Sequence, residues 1–240
     1  MNDLQIYIDQ LLDDRNIVLW DKLNKEFSID IQQSSSLGYG CYTQGNKATI
    51  YIAPHNICKD SFTHELLHVY LISEKIFIGA GLQLTVQGSN VLKRIFSNRL
   101  LEHFGNCLDH IKTYGIYINM GFDPEKFTAD YSTYKFTSSE LNDLKRYYKE
   151  KKVFRIEAVD FYIGKFVAMS ADFNKSFNYE SCFNELEKLD PALFSILDRF
   201  IGRWGDYDIL NKDIVYGSYY SLLNDFYEGL KGWITNKTFA

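Results

Sequence analysis

The clearest chemical pattern in the chain is His64-Glu65-Leu66-Leu67-His68. On a helix, residues four apart share one face, one turn above each other, so His64 and His68 aim two imidazoles at one point. Two imidazoles so placed make two corners of a tetrahedral zinc site. Glu65 lies about 100° further round the helix. It is a poor ligand for the same ion but well placed to take a proton from a water at such a site. The flanks add weight. Between Ser61 and Ser73 the only residues that could carry charge at neutral pH are His64, Glu65 and His68. A helix apolar all round is a buried helix, and three ionisable groups are costly to bury unless they are paired or bound to a metal. The competing account is a core helix whose two histidines are satisfied by hydrogen bonds.

Two histidines do not complete such a site, because catalytic zinc normally takes three protein ligands and a water. A third His six residues after His68, with an intervening Gly, is absent: those positions hold Leu71 and Glu74. The helical segment that begins near Ser89 is the natural donor, since it carries Glu102, His103, Asn106, Asp109 and His110. With His103 set at 0° and steps of about 100°, Leu100, Leu101, Phe104, Leu108 and Ile111 form an apolar face at roughly 60–160°. On the same wheel His110 falls at about 340°, while Glu102 and Asp109, at roughly 240–260°, point further away. His110 is therefore the preferred third ligand, with Glu102, Asp109 and His103 as alternatives. Ligand candidates left unused would orient the imidazoles. Tyr114 and Tyr117, just beyond His110, are candidate donors to a developing oxyanion. His55 reads as a loop residue.

The stretch His64 to His68 resembles the signature of the zincin metallopeptidases. The resemblance covers one helix, loosely the strand before it and the helix after it, and not the C-terminal half. It implies zinc as cofactor, His64 and His68 as ligands, Glu65 as general base, and a peptide or protein as substrate. Zinc would polarise the scissile carbonyl, and Glu65 would move a proton from the attacking water to the leaving amine. The resemblance also implies that a strand near residues 38–53 edges the cleft and pairs with an extended substrate; the plainer alternative is a sheet that only covers the helix. In the thermolysin-like branch the third ligand is a Glu from a downstream helix, a type that Glu102 would match without that branch's full motif. The alternative function is a zincin-like regulatory or partner-binding protein with little or no general proteolysis. A fourth protein ligand closing the site would favour that alternative, and an open water position favours the hydrolase.

Stepping outward from these residues, the pattern predicts an α+β, mainly helical fold. A small antiparallel hairpin sheet packs on the metal helix, and a helical C-terminal half follows. Residues 3–27 read as mostly helical and 28–36 as a polar connection. Residues 37–53 read as two strands around a Gly45-Asn46 turn, ended by Pro54. Asp60 or Ser61 is placed to cap the metal helix. Gly79-Ala80-Gly81 reads as a break. One long helix is expected from 89 to about 114 or 117, with Gly121 beyond its end. Thr137-Ser138-Ser139-Glu140 is a capping-box signature, and Asp190-Pro191 opens a helix over 192–204. Helices are also expected over 153–169, 178–189 and 216–233. Residues 1–122 form the metal-binding core and 123–240 the helical half of one continuous fold.

At 240 residues and 46% hydrophobic, the chain can build a sizeable core, and its composition argues against disorder. A net charge of −5 offers no basic field for nucleic acid. Cys41, Cys58, Cys107 and Cys182 contain no CxxC pair and read as free thiols in a reducing compartment. The first residues lack a basic region and a long apolar run, and no stretch reaches the length of a membrane span. Cytoplasmic localisation without membrane contact is the expectation.

Overall fold

A computed structural model describes residues 8–34, 38–210 and 218–240. In chain order its elements begin with α1 (Ile17–Glu26), β1 (Ser28–Gln33), β2 (Gly40–Gln44), β3 (Lys47–Ile52), α2 (Lys59–Ser73), α3 (Ile78–Gln87), α4 (Asn90–Ile95) and α5 (Asn98–Asn119). They continue with α6 (Ser138–Tyr147), β4 (Lys149–Glu150), β5 (Val153–Phe154), α7 (Ile156–Ser170), α8 (Glu180–Leu189), α9 (Pro191–Asp206), α10 (Tyr220–Ile234) and β6 (Thr238–Phe239). The fold is α+β and mainly helical, with two small mixed sheets. The chain divides into two compact units, Met1–Phe77 with Lys112–Tyr131, and Ile78–Ile111 with Ser132–Ala240. Among the described residues no single helix is long and apolar enough to cross a membrane.

The first unit is built on a three-stranded sheet in the order β1-β3-β2. Along β3, Ala48, Ile50 and Ile52 are buried and alternate with Lys47, Thr49 and Tyr51, the period-two pattern of a half-buried strand. The buried face meets Trp20 and Leu23 of α1 and Phe62, Leu66 and Val69 of α2 in one core. Each such side chain contributes about 1.5–3 kcal/mol by leaving water. The β2–β3 hairpin turns at Gly45, whose φ of +60° suits glycine. The sheet is not simply antiparallel, as expected from the hairpin. Residues 28–33 form a strand parallel to β3, pairing Ser28 with Lys47 through to Gln33 with Ile52. Of this edge strand only Ile31 is buried, and its polar neighbours stay exposed or half-buried, which is why it reads as a connection in the sequence.

The N-terminal helical reading holds in two pieces, a turn at 8–11 and α1, separated by the Asp13–Asn16 corner. There Asn16 is wholly buried; it accepts from Asp13 N–H at 2.9 Å and donates to the Leu11 carbonyl at 3.0 Å. Residues 3–7 lie outside the described residues. Helix α2 starts at Lys59 with Cys58 at its cap and no side-chain cap bond. The expectation of a cap from Asp60 or Ser61 is therefore corrected: Asp60 sits inside the first turn and has another task, described below.

In the second unit, Gly79-Ala80-Gly81 does not break a helix but begins α3. The glycines serve close packing. A Cβ on Gly105 of α5 would lie 3.0 Å from the Gly79 Cα, and one on Gly81 would lie 2.6 Å from Leu223 Cδ1. The long helix expected from 89 is two helices, because Ser97 caps a new start. Its Oγ accepts from Leu100 N–H at 3.1 Å, and its N–H donates to Asp160 at 3.1 Å. The capping box is present, with Thr137 and Glu140 exchanging bonds. Residues 153–154 are strand, and the helix follows from Ile156. The last helix is α10, and residues 216–217 of its expected range lie outside the described residues. Asp190 caps α9 as expected and does more. Its carboxylate accepts from Leu193 N–H at 3.1 Å, Tyr148 Oη at 3.0 Å, Trp233 Nε1 at 2.9 Å and Lys237 Nζ at 3.3 Å.

Candidate metal centre

Helix α2 is buried on nearly every side, as its all-round apolar sequence demands. Ser61, His64, His68 and Ile72, all half-buried, fall on one stripe, so both histidines lie on the least covered face. Two anchors fix the helix. Asn16 Nδ2 donates to Thr63 Oγ1 at 2.9 Å. At its first turn the buried Asp60 accepts from Tyr117 Oη at 3.4 Å and from Asp123 N–H at 3.3 Å, with Lys126 Nζ at 3.9 Å. A carboxylate there also meets the positive end of the helix dipole.

The partner stripe belongs to α5, where His110, Tyr114 and Tyr117 stand at i, i+4 and i+7 and so share a face. Tyr114 and Tyr117 pack edge-on against Phe127, at 5.1 and 5.0 Å between ring centroids, and Phe127 meets the His64 ring at 4.8 Å. The division between units falls after Ile111, but α5 runs unbroken through it. His110 is therefore carried by the rod whose next turns hold Tyr114 and Tyr117.

His64 Nε2 and His68 Nε2 lie 3.2 Å apart. Two nitrogens each about 2.0–2.1 Å from a tetrahedral zinc would be roughly 3.3–3.4 Å apart, so this spacing fits. One ligand atom from each of His64, His68 and His110 lies within 4.8 Å of the others, and this group could hold a metal ion. Among the described residues the group numbers three, two half-buried and one buried.

Glu65 is buried beside this stripe. Burial pushes its carboxyl above the usual carboxylate range, while nearby His68 and a hydrogen bond from the Cys41 thiol pull the other way. Such a carboxyl is suited to accept a proton and return it.

The other residues singled out in the sequence are placed as follows. Glu102 and Asp109 line a polar cleft of about 420 Å³ in the second unit, together with Gln83, Asn98 and Asn106. His103 is exposed, with Nε2 3.3 Å from the Gly164 carbonyl. The Tyr117 hydroxyl is pushed well above its ordinary pKa by burial and by Asp60, so its proton is committed to that carboxylate. Tyr114 is half-buried, and His55 is exposed in the turn after β3. Three contributors were not assigned to this site from the sequence: Asp60, expected only as a helix cap, Cys41, expected only as a free thiol, and Phe127. The only signal for Cys41 is the alternation of the hairpin, which pairs it with inward-facing Ile50.

No family model, no curated protein and no solved structure matches this chain.

Proposed function

We propose that the chain is a zinc-dependent hydrolase of the metallopeptidase type, with His64, His68 and His110 as ligands and Glu65 as general base. The observation that carries this reading is the convergence of three imidazoles beside one buried carboxyl. Three nitrogen donors suit zinc among the common divalent cations. When bound, zinc would act as a Lewis acid, polarising a carbonyl and making a water at the site more acidic.

The remaining work falls to the chain's own groups. The Glu65 carboxylate accepts the proton of the attacking water, and its burial favours holding that proton. It then delivers the proton to the departing amine nitrogen. Three imidazoles, two of them half-buried, leave a fourth tetrahedral position for water, which supports the hydrolase over a closed structural zinc. The Tyr117 proton is already engaged by Asp60, which argues against Tyr117 as a donor at the carbonyl.

The experiment is metal analysis by mass spectrometry combined with turnover of a quenched peptide library. The expected result is about one zinc per chain, cleavage by the parent, and a roughly thousandfold loss of turnover in Glu65→Gln with zinc retained. A zinc-loaded parent that cleaves no peptide, while Glu65→Gln binds the same peptides equally well, would overturn the hydrolase.

A further inference from the structure

The segment from Lys145 to Arg155 departs from the chain's charge balance. The whole chain carries a net −5, yet this short stretch holds Lys145, Arg146, Lys149, Lys151, Lys152 and Arg155 against one carboxylate, Glu150. All of these side chains are exposed. Lys145 pairs with Glu185, and Arg155 with Glu150 at 3.1 Å. Among the described residues, Arg146, Lys149, Lys151 and Lys152 have no carboxylate within ion-pair distance.

The fold presents these cations on a fixed edge. Helix α6 ends at Tyr147, and Tyr148 is fully buried, its hydroxyl donating to Asp190 at 3.0 Å. Strands β4 and β5 then pair Lys149 with Phe154 and Glu150 with Val153, so Lys151 and Lys152 make the reversal, Lys151 at a φ of +55°. Arg155 N–H returns to the Tyr148 carbonyl at 3.1 Å. Beneath the hairpin, the Phe154 ring packs against Tyr148, Trp233 and Phe239. The backbone that carries the charges is already ordered, so binding through them costs little further chain entropy. Tyr147 stands among the cations, 43% exposed, with the guanidinium carbons of Arg146 and Arg155 over its ring at 5.2 and 5.6 Å.

Uncompensated cations held close together suit a partner that offers several negative charges. Three kinds of polyanion could meet them. Single-stranded nucleic acid uses aromatic faces for base stacking, and here two guanidinium groups already lie over the ring. Protein interfaces are poor in Lys, whereas Lys149, Lys151 and Lys152 supply most of the uncompensated charge. An anionic bilayer takes a cluster of Lys and Arg together with a ring whose polar tip sits at headgroup depth, and the hairpin holds that combination. We infer that the Lys145–Arg155 hairpin is a docking surface for an anionic phospholipid bilayer, bound at the surface through its headgroup phosphates and carboxylates. The expectation of no membrane contact came from the lack of a spanning segment, which bears on crossing a bilayer and not on lying against one. Every residue of the hairpin belongs to the second unit, and the inference is independent of the metal centre.

The test is cosedimentation of the full-length chain with phosphatidylcholine vesicles, either pure or containing about 30% phosphatidylserine, at roughly 0.1 M salt. Binding to the anionic vesicles is expected to be tighter by about tenfold or more. The triple variant Lys149→Gln, Lys151→Gln, Lys152→Gln should lose roughly a hundredfold, about fivefold for each cation. A control with the same net charge, Lys25→Gln, Lys47→Gln, Lys93→Gln, changes exposed lysines elsewhere and should bind like the parent. Equal binding of the parent to the two kinds of vesicle would overturn the inference. Equal losses in the two triple variants would overturn it as well, by reducing the effect to net charge. An oligouridylate that binds more tightly than the anionic vesicles, through the same three lysines, would make the hairpin a nucleic-acid surface instead.

Discussion

Around Asp190 one carboxylate meets donors of the opposite kind: a backbone N–H, a tyrosine hydroxyl, an indole N–H and an ammonium. Around His110 three groups of the same kind converge, with two ring nitrogens 3.2 Å apart. Both sets are largely withdrawn from water, yet their logic differs. The Asp190 cluster completes itself, since each donor faces the acceptor it needs. Imidazoles can pair with one another, as His64 and His68 do when one ring nitrogen donates and the other accepts, or they can turn their lone pairs onto a cation; the proposed function takes the second arrangement.

Breaking each cluster tests the contrast. The largest effect is expected at Asp190→Ala, which leaves three buried donors without their acceptor. It should cost about 3–5 kcal/mol in urea unfolding, with zinc content per folded chain unchanged. Next comes the metal. Zinc at a hundred times its Kd should add about 2.7 kcal/mol to the parent, read as a rise in melting temperature. His110→Ala should abolish most of that gain, read as the difference between zinc and chelator for the same variant so that the cost of truncating a buried side chain cancels. A His110→Ala protein stabilised by zinc as strongly as the parent would remove it from the ligand set.

Two smaller effects bound the comparison from the surface. Thr137→Ala removes the capping box and should cost about 1 kcal/mol, with no effect on metal. The Arg15 guanidinium, hydrogen-bonded to Asp13, holds that carboxyl down at about 2. A depressed folded-state pKa stabilises above the ordinary carboxylate pKa of 3.8 and loses that contribution as pH falls toward 2. Acid unfolding of Asp13→Asn should therefore differ slightly from the parent at pH 5 and converge with it near pH 2. The difference should be small because the pair is part-exposed and screened by water.

Local rules were legible where a residue's neighbours in sequence are also its neighbours in space. The Gly45 turn, the capping box, the Asp190-Pro191 start and the alternation of β3 are all of this kind. Reading failed where a distant partner changes what a residue is for. Gly79 and Gly81 look like a break until α5 and Leu223 are seen at van der Waals range. Residues 28–33 look like a connection until β3 pairs with them. Asp60 looks like a cap until Tyr117 and Asp123 are found donating to it.

The chain's own pattern determined that His64 and His68 share one face of a buried helix with Glu65 turned about 100° away, because helical periodicity alone sets those angles. It also narrowed the third imidazole to one short segment. Only the tertiary structure decided that His110 groups with His64 and His68 while Glu102 and Asp109 line a separate cleft. The reason is physical. Angles around one helix follow from its own backbone, whereas the approach of two helices, or of a strand and a helix, is set by packing among residues far apart in the chain.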